Sequence, residues 1–431
     1  MDEHLLTAAD IGLLNNKGSF PTTVLSKVLQ AGKALNAGAS HIIKREDYDN
    51  IYATSDIHAD FRKLHYLLTK AGLITANELI TIPDIMNGIA KGGFIDWIAP
   101  KTLFVIVGDL VDGSRDGSDI FDTVGNIEVL LHAYLYNLRI KARAAGSELR
   151  FTIGNHDWHT VIKPYSADDN HLYDSYVHAS AKTFFKNYTN RRTWLMPFYN
   201  CCPYVFLSVG FEAAFVHGGL HLTDGNYSIE EITRYQKMLD ISKSFYNIVR
   251  EDDKKNYLSS ETGPLWTRFY AEQPAPVVNA AIDKCKDYKM IVVGHCQTES
   301  GNFKHYDAIL QEPEYAAFSS GGLVLLGCRD NVKAPRLAFV DIGMSCCFRN
   351  DKEWSAETGR RAEFLHLQHD PKKSDANRWY NVIKREVVSD GSSIVAWSDA
   401  VAPVAAVRGS SRKKRVRRSK LKQTHRRGVR N

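Results

Sequence analysis

The stretch IYATSDIH, residues 51–58, shows the pattern that decides the fold. Its apolar run ends directly at Asp56 and His58, two side chains of the types that bind metal ions. Four more apolar runs end in polar clusters of the same kind. They are Gly108-Asp109-Leu110-Val111-Asp112, Gly154-Asn155-His156-Asp157, His217-Gly218-Gly219 and Gly294-His295. Because α/β sheets gather reactive side chains at the carboxyl ends of their strands, the pattern predicts an α/β fold in which the clusters meet.

The clusters carry enough oxygen and imidazole donors for two divalent metal ions. An Asp and a His two residues apart can reach one ion, and a carboxylate after the next strand can bridge two, since it has two oxygens. Such a pair of ions, about 3.5–4 Å apart, activates a bridging water for attack on phosphorus. The sequence therefore predicts a metal-dependent phosphoesterase in which a metal-bridging hydroxide is the nucleophile. The candidate metal ligands are Asp56, His58, Asp109, Asn155, His217 and His295.

His156 is the candidate general acid. It stands beside the candidate ligand Asn155, where it can protonate the leaving oxygen, and Asp112 can hold its ring in the productive orientation. Each cluster alone is typical of an ordinary turn, because Gly, Asp and Asn favour turns. Five such clusters in order, each after an apolar run, favour the catalytic interpretation.

These clusters resemble the GDxHG, GDxVDRG, GNHE, HGG and GHT motifs of the calcineurin-like metallophosphoesterases, in their phosphoprotein phosphatase branch. The resemblance covers roughly residues 51–345. The segments GPLWTR (263–268) and DIGMS (341–345) are similar to the bacterial-type, Shewanella-like phosphatases. The resemblance implies a four-layer α/β sandwich with two central mixed sheets flanked by helices, and a phosphorylated Ser/Thr or Tyr substrate. It also implies two divalent ions, with Mn²⁺ expected and Fe or Zn as alternatives.

The resemblance implies the same roles for the six candidate metal ligands, for His156 as the acid and for Asp112 as its partner. The main departure from its motifs affects the binding of phosphate. Gly113 stands where the family has the Arg that grips phosphate through two parallel hydrogen bonds. Arg115 and Arg268 are the candidates to replace it. Ala59 replaces a Gly of the first motif, and Asp157 replaces the usual Glu.

Composition is that of an ordinary globular protein, with 44% hydrophobic and 24% charged residues in 431. No apolar run reaches the ~20 residues of a membrane-spanning helix, and the acidic start MDEHLL does not resemble a secretory signal. Seven Cys without a CxxC spacing favour reduced thiols, so an intracellular location is expected.

Composition also divides the chain. The expected organisation is a peripheral N-terminal segment (1–50), a metallophosphoesterase domain (51–387) with an insertion at 158–200, a linker (388–407) and a disordered basic tail (408–431). The tail holds 12 Lys and Arg and no Asp or Glu. Since the formal net charge of the whole chain is +6, residues 1–407 carry −6.

Several interpretations stay open at this stage. The tail suits a nuclear or nucleoprotein-associated location, a viral particle included, contact with nucleic acid or another polyanion, or a solubilising role without a partner. For the whole chain, hydrolysis of nucleotide or dinucleotide phosphates is an enzymatic alternative. A nucleic-acid-associated structural protein that retains the fold is an alternative of another class.

We predict that the tail binds polyanions independently of catalysis. Its charge would displace counterions from a phosphate backbone, so affinity should fall by on the order of 10³-fold from about 50 to about 200 mM salt. Filter binding of nucleic acid by the full chain and by a chain ending at Val407 measures this. The shortened chain should lose binding and keep its hydrolytic activity. Equal binding by both chains, or an affinity insensitive to salt, would leave the tail as a solvated end.

Overall fold

The structure, a computed structural model, describes part of the chain in detail. The described residues are 4–14, 16, 18–36, 40–75, 95–113, 127–162, 188–200, 203–210, 212–220, 229–242, 245–285, 288–298, 324–326, 336–342, 362–372, 380–388 and 391–396. The basic tail and Arg115 lie outside them.

Thirteen strands of the described residues form two mixed sheets. In chain order they are β1 (Ile42–Ile43), β2 (Asn50–Thr54), β3 (Thr102–Val107), β4 (Glu148–Thr152), β5 (Pro203–Tyr204), β6 (Leu207–Val209), β7 (Ala213–Phe215), β8 (Ile291–Val293), β9 (Val324–Leu326), β10 (Leu337–Phe339), β11 (Ala362–His369), β12 (Tyr380–Val388) and β13 (Gly391–Ala396). One sheet has the order β13-β12-β11-β2-β3-β4-β5 and the other β1-β6-β7-β8-β10-β9.

Ten helices of the described residues accompany the sheets. They are α1 (Ala8–Leu14), α2 (Thr22–Asn36), α3 (Phe61–Lys70), α4 (Ile127–Ala144), α5 (Asn155–Asp157), α6 (Tyr188–Tyr199), α7 (Ile229–Ser242), α8 (Tyr246–Lys255), α9 (Phe269–Glu272) and α10 (Ala275–Lys284). The predicted α/β fold with two mixed sheets is confirmed. No helix in the described ranges combines the length and the apolar character needed to cross a membrane.

Parallel pairing in the first sheet brings three of the polar clusters to one edge. β2 pairs with β3 and β3 with β4 in parallel, with Thr54 opposite Ile106 and Val107 opposite Thr152. All six residues of β3 are buried, as expected for a parallel strand covered on both faces. The loops that leave these strands at their carboxyl ends therefore lie side by side.

The second sheet brings the remaining two clusters to the same place. β7 pairs in parallel with β8, with Phe215 opposite Val292, so the residues that follow both strands are neighbours. The chain passes from the first sheet to the second between β5 and β6. The backbone N–H groups of Val205 and Phe206 at this crossing donate to the side-chain oxygen of Gln236, at 2.7 and 3.3 Å. The buried amides are thereby satisfied without a strand partner.

Both ends of the described chain add strands to the sheets. β1, from the segment predicted as peripheral, forms the edge of the second sheet beside β6. The side chains of Leu14, Val24 and Val28 in that segment are fully buried. β13 lies within the stretch predicted as a linker, where Ile394 and Val395 pair with Arg385 and Lys384 of β12. β-branched residues suit a strand, and this local preference outweighs the Ser- and Gly-rich composition around them.

Candidate metal centre and catalytic site

The loops after β2 and β3 are joined by backbone hydrogen bonds at the centre of the site. The N–H groups of Asp56, His58 and Ala59 donate to the carbonyl oxygens of Gly108, Asp109 and Leu110, at 3.1, 2.9 and 2.8 Å. This short ladder continues the strand pairing into the loops and fixes the spacing between the two polar clusters.

Five of the eight candidate metal ligands and acid–base residues have strained backbones. Non-glycine residues rarely adopt a positive φ, and such a conformation costs about 1–3 kcal/mol where the surroundings impose it. Positive φ values of 43–68° occur at Asp56, His58, Asp109, Asp112 and His295. The concentration of this strain in three loops indicates that the surroundings hold these side chains in place at the expense of a low-energy backbone conformation.

The first candidate metal site contains Asp56, His58 and Asp109. One potential ligand atom from each lies within 4.8 Å of the others, and all three residues are buried. The Nε2 atom of His58 is 3.8 Å from Oδ1 of Asp56 and 3.7 Å from Oδ2 of Asp109.

The second candidate metal site shares Asp109 with the first. It combines Asp109, His217 and His295 within the same 4.8 Å limit. Oδ2 of Asp109 is 3.3 Å from Nε2 of His217, and that ring nitrogen is also 2.9 Å from Oδ1 of Asn155. One carboxylate thus serves both clusters, as the bridging role predicted for Asp109 requires.

Backbone carbonyl groups select which ring nitrogen of two histidines faces the centre. Nδ1 of His58 lies 2.9 Å from the carbonyl oxygen of Val111, and Nδ1 of His217 lies 2.8 Å from that of Val107. Because a carbonyl oxygen only accepts, each Nδ1 donates, and Nε2 is the ring nitrogen that can bind a metal ion once it is deprotonated.

Burial and neighbouring charges shift the pKa values of two candidate ligands. Burial, together with the nearby Asp341 carboxylate, raises the pKa of Asp56 well above its usual range. Burial also favours a neutral His217, but Asp109 and Asp56 outweigh it and raise the pKa of His217 to about 10. Metal ions bind deprotonated ligands and displace such protons.

The donor set fits a pair of divalent ions. Burial and the neighbouring Arg268 lower the pKa of His295 well below its usual range, so its ring is neutral. Within the described part of the chain, the buried Nε2 atom of His295 has no hydrogen-bond partner. A buried donor or acceptor left without a partner is costly, and coordination to a metal ion would satisfy it.

Asp157, which replaces the family's usual Glu, holds two of the loops together. Its Oδ2 accepts from the N–H groups of Asp109 and Gly154, both at 2.8 Å. Its Oδ1 accepts from the N–H of Leu110 at 3.0 Å and from the hydroxyl of Tyr199 at 2.5 Å. A Cβ atom at Gly154 would overlap Oδ1 of Asp109, so only glycine permits this close approach.

The candidate acid is tied both to its predicted partner and to the shared carboxylate. Nδ1 of His156 lies 2.9 Å from Oδ2 of Asp112, and the backbone N–H of His156 donates to Oδ1 of Asp109 at 3.0 Å. Burial raises the pKa of Asp112, but the Arg191 guanidinium and His156 outweigh it and bring that pKa below its usual value. An ionised Asp112 fixes the proton of His156 on Nδ1, so Nε2 is the nitrogen that faces a substrate.

The structure places the two candidate phosphate-binding arginines differently. Arg268 is half-buried beside the second cluster, with Nη1 3.4 Å from the carbonyl oxygen of His295. Arg115 lies outside the described residues. Three residues outside the motifs also contact site residues: Glu128 from α4, and Arg191 and Tyr199 from α6. Long-range partners of this kind leave no local spacing signal.

A family model for calcineurin-like phosphoesterases matches residues 50–296. The site therefore defines a metal-dependent hydrolase of phosphate esters. Since the match spans more than half of the 431 residues, the chain belongs to the calcineurin-like phosphoesterase family. None of the curated protein sequences matches this chain.

Solved structures with similar folds are distant in sequence. A cold-active protein-tyrosine phosphatase of a psychrophilic Shewanella species is 17% identical with a TM-score of 0.50, over 84% of this chain and 83% of its own. A protein serine/threonine phosphatase from Saccharomyces cerevisiae is 14% identical with a TM-score of 0.41, over 84% of this chain and 89% of its own. The first of these supports the fold and nothing finer.

We predict that Asp109→Asn reduces metal content at both sites at once, because the amide loses the negative charge that both ions share. Elemental analysis of the dialysed protein should show fewer bound ions than in the wild type, and turnover should be close to zero. Asp252→Asn is the matched control. Asp252 is also fully buried, but it accepts from Leu258 and Ser259 after α8. Unchanged metal content in Asp109→Asn would contradict a shared carboxylate.

Proposed function

We propose that this chain is a two-metal phosphomonoesterase that acts on phosphorylated Ser/Thr or Tyr side chains of proteins. The observation that carries the proposal is the position of Asp109. Its Oδ2 atom approaches histidines of both candidate metal sites, while its Oδ1 atom accepts from the backbone of His156. Nucleophile activation and leaving-group protonation are thereby built around one carboxylate.

Divalent ions at the two sites would bind phosphate oxygens and lower the pKa of a water between them, which supplies the nucleophile. Asp56 and His58 would hold the first ion, and Asn155, His217 and His295 the second. His156 donates a proton to the leaving oxygen from Nε2, since Nδ1 is held by Asp112. Oxygen and imidazole donors together suit Mn²⁺, the proposed metal, with Fe and Zn as alternatives.

An aromatic side chain beside the second cluster supports a protein substrate. Trp266 is half-buried, and its ring centre is 6.0 Å from that of His295. Its Nε1–H donates to Nε2 of His159 at 3.0 Å, which fixes the plane of the indole. An indole held in this way offers a surface for the aromatic ring of phosphotyrosine.

Phosphate binding is proposed to depend on Arg268 because position 113 has no room for a side chain. A Cβ atom at Gly113 would lie 2.8 Å from the Cβ of Ala59 and 2.9 Å from the carbonyl oxygen of His58. Both distances are below ordinary van der Waals contact. Ala59 thus closes the position that the family's arginine occupies, and Arg268 offers a guanidinium beside the second cluster.

The tail adds a proposed partner to this function. Its 12 basic residues, opposite a body of net charge −6, suit a nucleic acid or another polyanion. Such binding would place the enzyme in a nuclear or nucleoprotein-associated location.

We predict that the Mn²⁺-loaded protein hydrolyses phosphopeptides faster than dinucleotides, and that His156→Asn separates substrates by leaving group. The loss of kcat should reach roughly 10²–10⁴-fold for a phosphoserine peptide, whose alkoxide needs a proton. It should be much smaller for para-nitrophenyl phosphate, whose leaving group does not. Steady-state kinetics of both proteins on the three substrates measures this.

Each part of this test can fail separately. Faster turnover of dinucleotides would favour the nucleotide phosphohydrolase. Equal losses on the peptide and on para-nitrophenyl phosphate would remove His156 from the role of acid. Metal content should equal that of the wild type, since His156 is not a proposed ligand.

We predict that Arg268→Ala weakens inhibition by inorganic phosphate by about 10–100-fold, the usual share of a charge-assisted hydrogen bond. Arg268→Lys should retain part of the affinity. The control is Arg234→Ala, which removes a surface arginine paired with Glu231 on α7. Gly113→Arg should not rescue Arg268→Ala, because Ala59 occupies the space. Rescue by Gly113→Arg would show that the loop around Gly113 moves to make room, and that an arginine at this position binds phosphate as it does in the family.

A further inference from the structure

A buried arginine outside every recognised motif contacts the partner of the candidate acid. Nη2 of Arg191 donates to Oδ1 of Asp112 at 2.7 Å and to Oε1 of Glu128 at 2.6 Å, and its Nε donates to Oε2 of Glu128 at 2.8 Å. Arg191 is 1% exposed, Glu128 1% and Asp112 0%. The arginine comes from α6 and the glutamate from α4, so two helices meet at this point.

Glu128 and Arg191 together fix Asp112 at its backbone and at its side chain. Oε1 of Glu128 accepts from the backbone N–H of Asp112 at 2.9 Å, which holds a residue with a φ of 68°. Arg191 occupies Oδ1 of the same residue. The carboxylate therefore cannot rotate without losing a charge-assisted hydrogen bond.

The remaining oxygen of Asp112 is the one that contacts the acid. Oδ2 lies 2.9 Å from Nδ1 of His156, so the orientation of the imidazole follows from that of the carboxylate. Proton transfer needs the acid within hydrogen-bond reach of the leaving oxygen, and a misplacement of about 1 Å can cost about 10²-fold in rate.

We propose that Arg191, held by Glu128, is a positioning residue for His156, and this rests on the acid role proposed above. Arg191 fixes the position of Oδ1 of Asp112, and Asp112 fixes the orientation of the His156 ring. That orientation presents Nε2 to the substrate. Arg191 of α6 thereby controls the efficiency of proton donation through Asp112.

A purely structural ion pair is the competing explanation, and the chain contains a matched example. Arg139 lies on α4, as Glu128 does, is 0% exposed, and places its Nε 2.9 Å from Oε1 of Glu148. Glu148 is the first residue of β4, whereas the candidate ligand Asn155 follows the other end of that strand. Loss of this pair tests what removal of a buried arginine does by itself.

The experiment compares Arg191→Met, Arg191→Lys and Arg139→Met in the full metal-loaded chain. For each, kcat and KM are measured on phenyl phosphate, a poor leaving group, and on para-nitrophenyl phosphate, a good one, together with Tm and metal content. Arg191→Met should lower kcat on phenyl phosphate by about 10–100-fold, with a much smaller loss on para-nitrophenyl phosphate and little change in KM. Arg191→Lys should recover part of the loss. Arg139→Met should lower Tm and leave the ratio of the two kcat values unchanged.

A double-mutant cycle with His156→Asn identifies the route of the effect. Because Arg191 acts through His156, Arg191→Met should add no further loss on phenyl phosphate in the His156→Asn background. Additive losses, or an unchanged kcat ratio in Arg191→Met, would overturn the proposal. If Arg191→Met does not fold, Arg191→Lys carries the test with the same expected dependence on leaving group.

Failure of the underlying acid role gives a different result. In that case His156→Asn lowers kcat equally on phenyl phosphate and on para-nitrophenyl phosphate, whatever the result for the Arg191 variants. A leaving-group-dependent loss in His156→Asn, combined with insensitivity to both Arg191 variants, would leave the acid in place and reject only the positioning role.

Discussion

The geometry of the site depends on the hydrogen bonds that the carboxylate of Asp157 accepts. This carboxylate accepts three backbone N–H groups, from the loops after β3 and β4, and the hydroxyl of Tyr199. Both loops carry candidate metal ligands, Asp109 after β3 and Asn155 after β4. A fully buried acceptor with four donors fixes the loops relative to each other, since each lost bond would leave a buried donor unsatisfied.

Buried charge is the second constraint, and it is met in two different ways. Around Asp109 the pKa values of Asp56 and His217 are raised, and cations bound there would displace the protons. Around Asp112 the compensation is permanent, because Arg191 lies between two carboxylates. Burying an isolated charge is costly, so the arginine stabilises a carboxylate that also contacts His156, the proposed acid.

Much of the fold and the candidate ligand set could be predicted because the signals are local. An apolar run that ends in Asp, His or Asn indicates both a strand and a candidate ligand in one short segment, and the runs before Asp56, Asp109 and Asn155 are three parallel neighbours in one mixed sheet. The linker prediction for 388–407 was drawn from composition, and β13 shows how pairing with an existing strand recruits a few β-branched residues. The resemblance also showed that the family's arginine is absent at Gly113. It did not show that Ala59 occupies the space that a side chain at position 113 would need.

The sequence by itself was enough to predict the candidate metal ligands, the candidate acid and their gathering at the ends of strands. Only the tertiary structure decided how those side chains are held. Arg191 lies 79 residues from Asp112 and 63 from Glu128, and Tyr199 lies 42 from Asp157. No spacing rule connects residues so far apart on different helices. Their contacts arise because α4 packs against β4 and α6 packs against α4, which buries charges, and buried charges must find partners wherever the fold brings them.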